Sequence, residues 1–199
     1  SYGVSLVDTS YMPEDPFKLL ELVEESGTTY VPDSGFCPGM SNLLIGHAYS
    51  NLDDVINVQI IVGGLPQDPR PPLYYTITWS IDDLLDEYTR PARIIKNGQL
   101  KQVDPLSVIM RINLEGLGSF EAIYTDGLRT LLKTIKAQNM SELTIRYPGH
   151  LSKIKTLRDL GFLSDREIRI KNQIIRPRKI TVELLKDLMK SSDPRDVAI

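Results

Sequence analysis

Four short stretches concentrate the residue types that can hold a small polar molecule and move its protons. The first is Thr144-Ile145-Arg146-Tyr147-Pro148-Gly149-His150. Arg146 ends a mainly apolar run that reads as a strand, where a guanidinium can grip a carboxylate through two parallel hydrogen bonds. An edge arginine in a salt bridge is the plain alternative. His150 precedes a helix, whose positive end lowers its pKa and favours the neutral ring that a proton acceptor needs. A capping or packing histidine would sit at the same place. The second stretch, Asp33-Ser34-Gly35-Phe36-Cys37-Pro38-Gly39, follows another strand-like run. Its glycines permit close approach of backbone to a ligand, as a tight interdomain turn also would. Cys37 could be a nucleophile, but no histidine is near it in sequence and an inert thiol is the commoner role. Asp8-Thr9-Ser10-Tyr11 lies after a strand, where α/β proteins place ligand-binding residues, although a polar loop with a helix cap reads the same way. Gly63-Gly64-Leu65-Pro66, with Thr76-Ile77-Thr78-Trp79-Ser80, suggests a strand end packed closely against a neighbour, or a plain bulge.

These residues need elements to position them. Residues 3–9 form a short β-branched run, and Asp15-Pro16 opens a helix with an aspartate cap and a proline in the first turn. Its apolar face runs through Phe17, Leu19, Leu20, Leu22 and Val23, and Gly27 closes it in the left-handed conformation. Residues 28–31 give a second strand, so the segment reads as a βαβ unit with parallel strands. Beyond Gly39 the spacing predicts a helix over 41–50, strands over 55–62 and 74–79, and a helix beginning after a Ser80 cap. Asn97-Gly98 marks a hairpin. Strands are expected at 108–112, 120–124 and 143–147, helices at 127–136, 151–160 and 182–190, and a hairpin at 168–175. The class is therefore α/β followed by α+β. A lone βαβ unit leaves parallel strands uncovered. Residues 196–199 read as a strand just begun, and no methionine opens the chain, so it reads as an internal segment of a longer protein.

Composition narrows the function. Among 199 residues, 41% are hydrophobic and 25% charged, which excludes disorder and low-complexity arrays. One cysteine and two histidines exclude an internal disulfide and make a zinc site implausible. No apolar run reaches the ~18–20 residues of a membrane helix, and no secretory leader opens the sequence, so a soluble cytoplasmic protein with no membrane partner is expected. Residues 1–60 hold nine acids and one base, whereas residues 141–190 hold twelve bases and six acids. The bases alternate with apolar residues, as on a solvated sheet face, and lack interleaved aromatics, so nucleic-acid binding is not expected. There is no G-x-G-x-x-G, since Gly116-Leu117-Gly118 lacks the third glycine and runs into a strand. Nor is there a Walker loop, a serine elbow or an H-E-x-x-H. Composition and spacing alone leave an α/β domain with its function open.

Taken together and in order, the clusters resemble the saccharopine dehydrogenase-like family, most closely its lysine 6-dehydrogenase branch. The resemblance rests on VDTSYMPEDPFKLLELVEESG, VPDSGFCPGMSNLLIG, VGGLPQDPRPPLYYTITWSIDDLLDEYTRPARIIKNGQ, SFEAIYTDGLRTLL, TIRYPGH and RPRKITVELLKDLM. It implies that residues 1–40 are the end of a Rossmann-type nucleotide-binding domain. Residues 41–199 would be an α+β domain, incomplete at its end, that binds substrate and forms a homodimer. It implies that Ser10, Phe36, Cys37, Pro38, Gly39 and Ser80 lie near a cofactor, NAD or NADP. It also implies that Ser10, Tyr11, Thr144, Ile145 and Arg146 hold a small amino-acid substrate; no metal ligand is assigned. Tyr11 and His150 are the candidates for proton transfer. Saccharopine-cleaving members often have aspartate at the position of Cys37 and carry an arginine near Asp126. The chain reads as lacking both, which favours lysine, oxidised at its side-chain amine to the semialdehyde. A saccharopine or carboxynorspermidine-type dehydrogenase or reductase is the alternative enzyme, and a non-catalytic dimerisation domain or diverged paralogue is the alternative of another class.

Overall fold

The computed structural model describes residues 3–190 and 195–199. In chain order the elements are β1 (Leu6–Val7), α1 (Leu20–Ser26), β2 (Tyr30–Val31), α2 (Met40–Tyr49), β3 (Asn57–Val62), β4 (Gly64–Pro66), α3 (Ile81–Thr89), β5 (Ala92–Lys96) and β6 (Gln99–Val103). They continue with β7 (Met110–Leu114), β8 (Gly118–Tyr124), α4 (Leu131–Thr134), β9 (Asn139–Arg146), α5 (His150–Asp159), β10 (Ile168–Ile170), β11 (Gln173–Ile175), α6 (Pro177–Leu188) and β12 (Asp196–Ala198). Two compact units result. The first takes residues 1–60, 93–101 and 126–142, and the second takes residues 61–92, 102–125 and 143–199.

In the first unit β1 and β2 pair in parallel, as the βαβ reading requires. The Asp15 carboxylate accepts from the Phe17 N–H and starts a 3₁₀ turn that leads into α1, and Gly27 closes that helix at φ 61°. No residue of α1 is buried, and Leu6, Val7, Leu20, Leu22 and Val31 are exposed. Asn97 and Gly98 both have positive φ, 53° and 73°, the conformation a two-residue primed hairpin turn demands. The helix expected over 127–136 shrinks to the four residues of α4. Arg129 takes φ 46°, outside the helical region, and the Asp126 carboxylate is turned to the Arg93 N–H and guanidinium.

The second unit holds the main core. Strands β7, β8 and the second half of β9 pair antiparallel, with Ile123 opposite Thr144, Ala122 opposite Ile145 and Glu121 opposite Arg146. Side chains alternate faces along each strand. Ala122 and Ile145 pack on one face with Leu65, Phe120 and Leu143. Ile123 packs with Leu84, Leu85 and Tyr88 of α3, Leu151 and Ile154 of α5, and Val182 and Leu185 of α6. Ile81, Leu84, Leu85 and Tyr88 are the buried stripe of α3, whose Ser80 hydroxyl accepts from the Asp83 N–H as the sequence predicts. Gly63 lies so close to Ile145 that a Cβ there would come within 2.6 Å of its Cγ1. The strand expected over 74–79 does not form. Pro71 and Pro72 supply no N–H, Tyr74 takes φ 56°, and the Ile77 N–H bonds to the Met189 carbonyl past the end of α6. Of residues 196–199, Asp196–Ala198 do form a strand, β12, antiparallel to β4.

Candidate functional site

The second unit gathers Arg146, Glu87, Tyr88, Tyr75 and His150 into one buried polar chain. Arg146 ends β9 on the face turned to the helices, with its side chain 2% exposed. Glu87 and Tyr88 are neighbours on α3, and His150 is the first residue of α5 after Gly149 in the left-handed region, φ 86°. The Nδ1 of His150 lies 2.7 Å from the Leu73 carbonyl oxygen, which can only accept, so Nδ1 carries the proton. Nε2 is then a lone pair, and the Tyr88 hydroxyl, 2.8 Å away, donates to it. The Tyr88 oxygen accepts from the Arg146 Nε–H at 3.1 Å. Nη1 donates to the Ile145 carbonyl at 2.9 Å and Nη2 to Glu87 Oε2 at 2.5 Å. The Tyr75 ring lies 4.7 Å from the guanidinium carbon, a cation–π contact.

Electrostatics fix the protonation of this chain. Burial, reinforced by the Arg146 charge, lowers the His150 pKa to about 3, so the ring is neutral. Burial also pushes the Tyr88 hydroxyl well above its ordinary value, which keeps it a donor. Burial pushes the Glu87 carboxyl up against the pull of Arg146. The side chain of Glu87 is 16% exposed, whereas that of Arg146 is 2%. The expected lowering of the His150 pKa is present, but desolvation dominates it. The ring is also wholly buried and engaged at both nitrogens. Of the other expected residues here, Thr144 shares a hydrogen bond with Thr125 (Oγ1–Oγ1 2.8 Å), Ile145 is core, and Ser80 caps α3.

The first unit gathers the remaining candidates. The Ser34 N–H donates to the Asp8 carbonyl, and the Asp8 carboxylate takes the Ser10 N–H and the Tyr30 hydroxyl, so the 8–11 loop and the 33–39 turn are tied together. Hydrogen bonding to Ser10 holds the Asp8 carboxyl below its usual range. Tyr11 is half-buried. Phe36 is 45% exposed, Pro38 and Gly39 are buried, and a Cβ on Gly39 would overlap the Gly35 backbone. Cys37 donates to Glu142 Oε2 at 3.0 Å and accepts from the Ser41 hydroxyl. The Phe36 ring is thus exposed beside a tight glycine turn, and the sequence carries no G-x-G-x-x-G loop. Asp33 is bound by Arg129 Nε at 3.1 Å and by the Thr130 N–H, and Arg129 also donates to the Met12 carbonyl.

The expectation of no arginine near Asp126 is corrected. Arg93 forms a two-point pair with Asp126, both contacts at 2.8 Å, and Arg129 lies three residues beyond it. Arg93 escaped the sequence reading because it is 33 positions away. Glu87 and Tyr88 were also missed. Tyr88 had a signal, because a tyrosine on the apolar stripe of α3 must find a partner for its hydroxyl. Among the described residues no cluster could hold a metal ion, and no helix is long and apolar enough to cross a membrane.

The saccharopine dehydrogenase C-terminal domain family matches residues 35–199. The chain belongs to that family. It is 25% identical over 178 residues to the mitochondrial alpha-aminoadipic semialdehyde synthase of Mus musculus, covering 81% of this chain and 19% of that protein. It is 26% identical over 193 residues to the saccharopine dehydrogenase [NADP(+), L-glutamate-forming] of Pyricularia oryzae, covering 91% of this chain and 43% of the relative. The apo saccharopine dehydrogenase (L-Glu forming) of Saccharomyces cerevisiae has the same fold, with TM-score 0.63, 24% identity, and coverage of 81% of this chain and 39% of that one. The chain thus spans less than half the length of these relatives. Within the family match lie the 35–39 turn, the Arg93–Asp126 pair, Arg129 and the whole polar chain around Arg146, while Asp33, the partner of Arg129, lies just before it.

Proposed function

We propose that this chain supplies the substrate-holding part of a nicotinamide-dependent oxidoreductase acting at a carbon–nitrogen bond of an amino acid. The observation that carries the reading is Arg146, a buried cation whose counter-ion, Glu87, is the more exposed partner of the pair. A substrate carboxylate can take the place of Glu87 on a guanidinium already oriented by its neighbours. Thr144 and Ile145 flank that position on β9, and Ser10, the 36–39 turn and Ser80 are the cofactor-side residues of this reading. When bound, the nicotinamide takes the hydride from the carbon bearing the amine. The amine must shed a proton first, and Tyr11 is the better candidate acceptor, because His150 is closed off from any substrate. Water then converts the resulting imine to an aldehyde and releases ammonia.

Lysine is the first substrate of this reading. Arg93 and Arg129 are each matched by a carboxylate of the chain that is only 2–3% exposed, so neither offers a cation to a second carboxylate. Saccharopine is the second reading, favoured by the names of the relatives and by the presence of those two arginines. The family resemblance extends the proposal to a cytoplasmic homodimer with a nucleotide-binding domain ending near residue 40. The test is a spectrophotometric assay of the full-length protein with lysine and with saccharopine, against NAD and NADP. Turnover of lysine that is lost in Arg146→Ala is the expected result. Turnover of saccharopine alone moves the substrate to the second reading, and turnover unaffected by Arg146→Ala removes the clamp.

A further inference from the structure

We infer that Tyr88 and His150 are positioning residues that set the plane of the Arg146 guanidinium, with His150 acting as a hydrogen-bond acceptor and never as a proton carrier. The inference rests on the reading of Arg146 as the carboxylate clamp and deepens it.

A guanidinium on a flexible side chain binds a carboxylate in two-point fashion only when its plane is fixed beforehand. Two of its edges are fixed here by bonds within the unit. Nη1 is held by the backbone of its own residue, through the Ile145 carbonyl. Nε is held by the Tyr88 oxygen, and the Tyr75 ring covers one face. The bond from Nε needs a lone pair on Tyr88 pointed at Arg146, so the hydroxyl proton must point elsewhere. His150 Nε2 supplies that acceptor, and the Leu73 carbonyl, by taking the Nδ1 proton, fixes the tautomer that keeps Nε2 open. The direction is unbroken: Arg146 donates to Tyr88, Tyr88 to His150, and His150 to the Leu73 backbone. Reversing any member would set two donors or two acceptors against each other in a buried place. Only the Nη2 end, bonded to half-buried Glu87, faces an exchangeable partner. The second N–H of Nη1 and the N–H groups of Nη2 are thereby held in fixed directions as the edge open to an incoming carboxylate. His150 accepts through Nε2 two hydrogen bonds from the guanidinium and donates its own proton to the Leu73 backbone.

The test measures KM and kcat of the full-length protein for whichever of lysine and saccharopine it turns over, with calorimetric titration of the same amino acid as a readout independent of turnover. Tyr88→Phe keeps the ring and removes only the oxygen. It is expected to raise KM and the dissociation constant about tenfold while kcat changes less than about twofold. His150→Leu is expected to do the same. His150→Gln, whose amide oxygen can still accept from Tyr88, is expected to return KM to within about threefold of wild type. A merely structural role would make Gln and Leu alike, and that result overturns the inference. So does an unchanged KM in Tyr88→Phe, a variant that keeps the packing should His150→Leu fail to fold. Arg146→Ala separates the two levels. If it raises KM and Tyr88→Phe does not, the positioning role alone is wrong. If it leaves both KM and binding unchanged, the clamp falls and the positioning role with it.

Discussion

Among the described residues two arginines are buried against acidic partners, one in each unit, and the two pairs differ in what surrounds them. Arg129 and Asp33 are each 2% exposed at the side chain. Asp33 also takes the Thr130 N–H, and Arg129 also bonds the Met12 carbonyl, so the pair fastens three separate backbone segments of the first unit. Arg146 is equally buried, but its partner Glu87 is 16% exposed and sits on a helix that other residues already anchor. Aromatic rings and a directed chain of neutral donors orient Arg146, whereas Arg129 is bound by backbone and its acid. A buried ion pair gives uncertain net stability, since desolvation opposes the attraction. What differs is the cost of separating the partners. Opening the first pair strands a sealed carboxylate. In the second, a partly exposed acid lies against a cation that Tyr88 and the Ile145 carbonyl also hold in place. On the function proposed above, the first pair holds and the second exchanges.

The sharpest way to break that contrast is to remove each cation in turn. Arg129→Met leaves Asp33 buried without its charge partner and is expected to cost about 3–5 kcal/mol of stability in denaturant unfolding. Arg146→Met leaves Glu87 able to hydrate and is expected to cost clearly less, its main effect falling on substrate binding. Equal losses from the two substitutions would mean that Glu87 is as tightly sealed as Asp33, and the contrast would collapse.

How far the sequence reveals this arrangement follows from the range of the signals. The cap at Asp15, the stop at Gly27, the Asn97-Gly98 hairpin and the Ser80 cap are all local, and each forms as read. Residues 74–79 carry a strand's alternation, yet their backbone partner lies at Met189, and no local pattern reveals that. The length of α4 is cut by the left-handed Arg129 and by the Asp126 pairing with Arg93, both tertiary choices. Arg146 and His150 stand out because they bracket a strand end and a helix start. Their partners escape because Glu87 and Tyr88 are 59 and 58 positions from Arg146. A polar residue on an apolar stripe shows that a partner exists without saying which. The family motifs located the same two stretches, but motifs carry no hydrogen-bond direction.

A smaller effect sharpens the second pair. His150 has its folded pKa lowered to about 3, below the ordinary histidine value. Between about pH 6.5 and pH 3 the unfolded chain therefore binds a proton that the folded chain refuses, and stability falls as pH falls. The contribution is complete above about pH 6.5 and amounts to roughly 2–3 kcal/mol lost by pH 4.5. The difference between wild type and His150→Gln isolates it, because every other titrating group is common to both. Unfolding free energies measured from pH 7 to pH 4.5 are expected to fall more steeply for the wild type than for the variant. Parallel curves would mean that the ring accepts a proton in the folded state, and the bond between Tyr88 and His150 would then have to reverse against the Arg146 Nε–H, which can only donate.

The smallest expected change tests exchange itself. Glu87→Gln removes the charge that competes with a substrate carboxylate for Arg146, while the amide keeps an oxygen able to accept from Nη2. Burial already disfavours the Glu87 charge, so stability should move by less than about 1 kcal/mol. Substrate binding moves the other way from Arg146→Met. With the internal competitor neutral, KM should fall by about two- to fivefold, and the gain should shrink as salt rises. The corresponding change at the sealed pair, Asp33→Asn, offers no such gain, since Arg129 reaches no substrate in this reading. A KM that rises in Glu87→Gln would show that Glu87 orients Arg146 for its ligand, and that the second pair, like the first, is built to hold.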